Sequence, residues 1–218
     1  MTKIIGIDDA GRGPVIGPMI LAGVLINEKD NQFLKKLGAK DSKLLAPKRR
    51  KAIKENIKKK FKYHIEKTEP KEIDESANLN YLEAIKAAMI INKLTENTNE
   101  KIIAIIDCPS ININSWCNDV QKLIKKPELI QLICEHKADI NHPAVSAASI
   151  LAKEKREDEL VKLKKELKID FGSGYPSDPK TKEFIKENFQ NQKYKKLIRF
   201  SWKTIKNLIE EGKQGKLF

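Results

Sequence analysis

An α/β fold, a mixed central sheet flanked by helices with a small C-terminal helical extension, is predicted by three features of the sequence. Two short β-branched apolar runs, Ile4–Ile7 and Ile102–Ile106, read as buried central strands. Each ends in acid and then in residues that break regular structure. Around them lie further strand patterns and segments with apolar residues at helical spacing, the mixture expected of a sheet with helices on its faces.

The first run closes on the adjacent carboxylates Asp8 and Asp9, followed by Gly11, Arg12, Gly13 and Pro14, where helix and strand are both disfavoured. Successive strand residues point to opposite faces, so the two acids diverge unless the strand bends or ends there. Acids at the end of a buried strand are costly without a partner, and a divalent cation is the obvious one. A charged turn is the plainer alternative. Pro18 to Ile26 is apolar again and reads as a second strand, hairpinned to the first. Lys40-Asp41-Ser42-Lys43 is a polar connection. Ala46-Pro47 then opens a helix to about Lys60, with Ala52, Ile53 and Ile57 on one face. Phe61, Tyr63 and Ile65 alternate with Lys62, His64 and Glu66 as a half-buried strand. Leu82, Ile85 and Met89 mark a helix over residues 78–94.

The run from Ile102 repeats the opening logic, ending in Asp107 and then Cys108-Pro109-Ser110. A helix over 116–126 and a strand over 129–134 follow, then His136-Lys137-Ala138-Asp139. Pro143 leads into a long helix from Ala144 to about Lys168, small on its early face at Ala144, Ala148 and Ala152. Gly172 to Pro176 is loop, and short amphipathic helices are predicted over 180–189 and 202–211. In such sheets the functional crevice lies outside the carboxyl ends of parallel strands. Asp8 and Asp107 both sit at such ends, so neighbouring strands would bring the two carboxylates together.

The chain has 218 residues, 40% of them hydrophobic and 33% charged, which suits a globular protein of one large domain or a domain with a small appendage. No apolar run approaches a membrane span and no secretory pattern opens the chain, so a cytoplasmic protein with no membrane contact is expected. Cys108, Cys117 and Cys134 show no paired spacing and read as reduced thiols. A net charge of +13 points to a polyanion, nucleic acid first, although abundant Lys, Ile and Asn also fit a coding bias.

Together, Gly6 through Pro14, Asp41-Ser42-Lys43, Ile106-Asp107, His136 through Asp139, Val145 through Ile150, Gly172 through Lys180 and Arg199 through Trp202 resemble the type 2 ribonucleases H. The likeness is to ribonuclease HII, in the form shared by archaea and the eukaryotic catalytic subunit. The pieces occur in that family's order over nearly the whole chain. The resemblance implies a ribonuclease H-like fold, with residues 1–175 as the catalytic domain and 176–218 as the helical extension packed on it. It also implies hydrolysis of the RNA strand of RNA/DNA hybrids and incision at ribonucleotides in duplex DNA, in replication and repair. The family's four catalytic, metal-binding acids fall on Asp8, Asp9, Asp107 and Asp139, with two Mg2+ or Mn2+ ions as cofactors. The family pattern has Glu at the second acid, whereas this chain has Asp9, one methylene shorter. Two metals about 4 Å apart can hold the attacking water and the departing 3′-oxygen without a nucleophilic side chain. The products implied carry a 3′-hydroxyl and a 5′-phosphate.

By the same resemblance Gly11, Arg12 and Gly13 form the loop that reads a ribose at the RNA–DNA junction, and Tyr175 packs on the neighbouring deoxyribose. A tight turn and a loop anchor are the structural alternatives. Lys43, Ser146 and Ser149 are candidates for phosphate contact, and small serines also permit close helix packing. His136 stands outside the catalytic set, because two-metal hydrolysis needs no imidazole. The opening glycines are near GxGxxG, but two acids before a phosphate cradle argue against a Rossmann oxidoreductase. Actin-like ATPases and sugar kinases need a second such domain, and a binding protein with decayed catalysis would not be expected to retain Asp8, Asp107 and Asp139. Gln214, Leu217 and Phe218 resemble the short peptides that dock on DNA sliding clamps, the alternative being a tail folded back on the last helix. A chain working as a monomer is expected.

Overall fold

The computed structural model describes residues 2–38 and 46–214. Its sheet has five strands, β1 (Lys3–Ala10), β2 (Met19–Asn27), β3 (Lys62–Thr68), β4 (Ile102–Asp107) and β5 (Ile130–Glu135), in the order β3-β2-β1-β4-β5. β1 runs antiparallel to β2 and parallel to β4, and β5 is parallel to β4. The predicted mixed sheet and hairpin are therefore present. β1 is the central strand, which is why Ile4, Ile5 and Ile7 are all buried.

The helices are α1 (Asn31–Leu37), α2 (Pro47–Lys60), α3 (Pro70–Glu75), α4 (Leu79–Leu94), α5 (Ile113–Leu123), α6 (Ala138–Asn141), α7 (Pro143–Leu167), α8 (Pro179–Asn188), α9 (Gln192–Lys195) and α10 (Lys203–Gln214). Proline at the first turn starts α2, α3 and α8, where its missing N–H costs nothing. Asn78 caps α4 and Asn112 caps α5 with their side-chain oxygens. Among the described residues no helix is long and apolar enough to cross a membrane.

The chain divides into two compact units, each built from separated segments. The first comprises Met1–Ala10, Ile20–Glu66 and Asn78–Lys155; the second comprises Gly11–Met19, Lys67–Ala77 and Arg156–Phe218. In the first unit, one face of the sheet packs Ile4, Ile20, Ala22 and Val24 against Ile53 and Ile57 of α2 and the small early face of α7. Gly6 makes this packing possible, since a Cβ there would overlap the backbone of Ala144 and Val145. The other face meets α4, with Gly23 against Ile90 and Leu94. The second unit has its own core of Val15, Ile16, Leu160, Phe171, Phe184, Tyr194 and Ile198, among others.

Two details differ from the sequence expectation. Met89 is 43% exposed, because α4 is apolar nearly all round and buries Ala84, Ala87, Ile90, Ile91 and Leu94 instead. Tyr63, expected inward on β3, is exposed at the edge of the sheet, where Lys58 lies over its ring.

Candidate active site

The register between β1 and β4 pairs Gly6 with Ile105 and Ile7 with Ile106, so Asp8 and Asp107 reach the same level one residue further on. In-register parallel neighbours share their facing, and both acids belong to the face that packs α7. β1 continues through the second acid to Ala10 rather than stopping at Asp8. Alternation therefore separates the two acids: Asp8 is buried, at 5% exposure, while Asp9 is half-buried. The Asp9 N–H donates to Asp8 Oδ1 at 2.7 Å, and the Ser149 hydroxyl donates to the same carboxylate. Burial pushes the Asp8 carboxyl well above its usual range, the charge of Asp9 pushes the same way, Ser149 opposes them, and Asp107 adds to the rise. Asp9 and Asp107 thus both act electrostatically on Asp8.

Asp107 is oriented by the short helix that follows β5. Its Oδ1 accepts from the N–H of Ala138 at 3.1 Å, and Ala138 is the first residue of α6. Asp139 comes next in that helix, so the hydrogen bond that Ala138 donates to Asp107 fixes the turn that carries the fourth acid. Around it, the Cys108 N–H donates to the Glu135 carbonyl at 2.9 Å, and His136 Nδ1 lies 3.0 Å from the Cys108 carbonyl. His136 is thereby engaged with backbone through one ring nitrogen.

Among the described residues no group of three or more His, Cys, Asp or Glu side chains forms a ready-made metal cage. The chemistry of the set nonetheless fits a hard divalent cation. It consists of carboxylate oxygens, and the Asp8 carboxyl, raised first by burial and then by the charges of Asp9 and Asp107, is one whose ionised form a cation would stabilise. Asp8, Asp9, Asp107 and Asp139 are the residues that could hold such ions.

The glycine loop belongs to the second unit. Gly11 has φ +87°, a left-handed conformation that favours glycine. The wholly buried Arg199 guanidinium underpins the loop through its carbonyls. Nη2 donates to Gly11 at 2.7 Å, Nη1 to Arg12 at 2.9 Å and Nε to Gly17 at 3.0 Å. The N–H of Val15 donates to the Gly174 carbonyl at 2.8 Å, tying this loop to the segment that presents Tyr175. Tyr175 is exposed, and the Arg156 guanidinium lies 5.4 Å from its ring centre. Burial lowers the Arg156 pKa, against the opposing pull of Tyr175 and Glu157. Asp178 Oδ2 accepts from the Ser173 N–H at 2.6 Å and so shapes the same segment.

The structure thus groups Asp8, Asp9, Asp107 and Ser149 in the first unit, and Gly11, Arg12, Gly13 and Tyr175 in the second. Ser146 is buried beside Ser149 in α7. Lys43, Leu217 and Phe218 lie outside the described residues, and of Gln214 only the helical backbone is described. Sequence reasoning assigned no role to Arg199, Arg156 or Asp178. Arg199 and Asp178 stood inside the quoted motifs, and Arg156 carried no local signal.

Comparison with known proteins agrees with this geometry. Residues 5–205 match the family profile of Ribonuclease HII. The Ribonuclease HII of Methanococcus maripaludis strain C6 is 44% identical over 99% of this chain and 90% of its own length. The crystal structure of ribonuclease H2 from Pyrococcus horikoshii OT3 superposes with a TM-score of 0.85, at 35% identity over 98% of this chain and 100% of that one. The RNase HII in the PCNA:RNase HII complex from Archaeoglobus fulgidus gives a TM-score of 0.80, at 37% identity, with 92% and 95% of the two chains covered. With two acids on neighbouring parallel strands of a ribonuclease H-like sheet, and with relatives matched end to end, the chain belongs to the ribonuclease HII family, a family of ribonuclease H hydrolases.

Proposed function

We propose that this chain is an endonuclease that hydrolyses the RNA strand of RNA/DNA hybrids and cuts at ribonucleotides embedded in duplex DNA, with Mg2+ or Mn2+ as cofactor. The observation that carries the reading is the alignment of Asp8 and Asp107 at the carboxyl ends of adjacent parallel strands, inside a family of ribonucleases H. Two bound divalent cations would supply Lewis-acid stabilisation of the attacking water and of the departing 3′-oxygen.

The residues of the chain have distinct parts in this reading. Asp8, Asp9, Asp107 and Asp139 hold the cations. Ser149 and the Asp9 N–H keep the Asp8 carboxylate in one orientation, and the Ala138 N–H does so for Asp107. No side chain serves as nucleophile, so cleavage leaves a 3′-hydroxyl and a 5′-phosphate. Gly11, Arg12 and Gly13 offer close backbone approach to a ribose, whose 2′-hydroxyl is what separates RNA from DNA. Tyr175 offers its ring to the adjoining sugar, and Lys43 approaches phosphate, whereas Ser146 and Ser149 are buried in α7, where Ser149 gives its one hydroxyl proton to Asp8. The A. fulgidus relative assembles with PCNA; here Gln214, Leu217 and Phe218 would supply the amide and apolar anchors for a sliding clamp.

The test is cleavage of duplex DNA carrying one ribonucleotide, with and without divalent metal. Asp107→Asn should abolish the metal-dependent cut while binding to a hybrid persists, since phosphate contacts supply most affinity. Full activity in Asp107→Asn would remove that residue from the catalytic centre.

A further inference from the structure

The charge of this chain is concentrated on α2. Eight of its fourteen residues are Lys or Arg and only Glu55 is acidic. General lysine enrichment does not explain this, because every other helix of ten residues or more carries both signs. α7 sets six cations against five acids, and α8 and α10 each set three cations against two. Lys58, Lys59 and Lys60 suit the dipole in the last turn, but the helix gains no stability from the cations at its start. Lys48, Arg49, Arg50 and Lys51 crowd its first turn, which contains no acid, and there the helix dipole disfavours positive charge.

Some of these cations have structural work. Arg50 pairs with the buried Glu154 of α7, Lys60 pairs with Asp30 at 3.1 Å, and Lys58 covers the Tyr63 ring. Lys48, Arg49, Lys51 and Lys59 are exposed and make no ion pair among the described residues. The inner side of α2, Ile53 and Ile57, packs into the core that includes Val145 and Ala148 of α7. α2 is thus anchored, by apolar contact and by the Arg50–Glu154 pair, to the helix whose Ser149 orients Asp8.

We infer that the outward face of α2 is a phosphate-binding surface that grips the duplex flanking the cut, through Lys48, Arg49, Lys51 and Lys59. The inference rests on the proposed nucleic-acid substrate. At about 1.5 Å per residue the helix is about 21 Å long, the length of duplex axis over which one strand rises through about six phosphates at about 3.4 Å each. The surface reads no sequence: lysine and arginine on backbone phosphates supply affinity and register, not base recognition. An acidic protein surface is the other polyanion such a helix could meet. A duplex is favoured because α2 is joined to the helix that carries the catalytic centre's serine.

The test compares K48Q/R49Q/K51Q with the parent on a fluorescent RNA/DNA hybrid, in EDTA, over a series of salt concentrations. A second variant, K101Q/K122Q/K125Q, removes the same charge from exposed lysines away from α2. The α2 variant should bind about tenfold more weakly near 0.1 M salt and lower the salt slope by about 2, as for two to three lost phosphate contacts. The second variant should lose far less affinity. An unchanged affinity and slope in the α2 variant would overturn the inference and leave an acidic protein as the partner to test. Equal losses in both variants would also overturn it, by assigning the effect to net charge. A parent that neither binds nor cleaves hybrid would instead overturn the proposed function.

Discussion

Arg199 donates to the carbonyl of Gly11 at 2.7 Å across 188 positions of sequence, and the same buried guanidinium also serves Arg12 and Gly17. One side chain near the C-terminus thereby holds the turn that follows the first two acids. The planar fork of arginine suits this, since it presents several donors in one fixed plane and keeps its charge when buried.

Arg199→Ala should therefore cost about 3–5 kcal/mol of stability, because three buried carbonyls lose their donor together. Arg199→Lys keeps the charge but not the fork, and should recover only part of the loss. Urea denaturation measures both. A loss in Arg199→Ala below about 1 kcal/mol would mean that water or a neighbour replaces the guanidinium without penalty.

Asp8 presents the opposite case, a charge that the fold does not favour. Burial first, and Asp9 next, raise its carboxyl well above the usual range. A carboxyl whose folded pKa exceeds its unfolded value binds its proton more tightly in the folded state. Its ionised form thus costs stability at pH above the raised value, and the cost vanishes below the ordinary range near about 4. Asp8→Asn, which keeps an oxygen for Ser149, should stabilise the metal-free protein by about 1 kcal/mol at neutral pH. The gain should shrink as pH falls. Adding Mn2+ should raise the Tm of the parent more than that of the variant. A variant no more stable than the parent at pH 8 in EDTA would show that Ser149 and the Asp9 N–H already offset the burial.

How much of this was legible in the sequence depended on distance along the chain. The strands bearing Asp8 and Asp107 were readable because each is an isoleucine run stopped by an acid, a pattern contained within a few residues. Their being neighbours was not local and stood only as a condition, which the parallel pairing of β1 with β4 meets. The role of Arg199 had no local signature, since its partners lie more than 180 positions away. The short helices α1, α3, α6 and α9 went unread, being too short to display a 3.6-residue period. α6 matters most among them, because it carries Asp139 and is fastened to Asp107 by a backbone N–H that no pattern of side chains announces.

Tyr175 is exposed beside a cation that its ring already engages, at 5.4 Å from Arg156. If that ring packs on a sugar at the junction, Tyr175→Ala should slow cleavage at a single embedded ribonucleotide by about tenfold, the size of one stacking contact. Cleavage of a long hybrid should suffer less, and Tyr175→Phe should keep most activity on both. Equal losses on the two substrates would reduce Tyr175 to a support for its own loop.

Gly6 and Gly23 offer a paired test of how the serine reaches Asp8. They lie on opposite faces of the sheet, and each is tightly approached by a helix. At Gly6 a Cβ would overlap the backbone of Ala144 and Val145, which cannot rotate away, so strand and helix would have to part. At Gly23 the obstacle is the Cγ2 methyl of the buried Ile90, a side chain rather than a backbone. Gly6→Ala should accordingly destabilise by about 2–3 kcal/mol, near the upper range for overpacking, and Gly23→Ala by less. The two should differ more sharply in metal binding. Moving the start of α7 away from β1 withdraws Ser149 from Asp8, so Gly6→Ala should bind Mn2+ more weakly in a calorimetric titration at a temperature where it is folded. Gly23→Ala, altered on the other face, should bind as the parent does. If Gly6→Ala folds and keeps the parent's Mn2+ affinity, the approach of α7 to β1 is a matter of packing alone and does not set the orientation of Asp8.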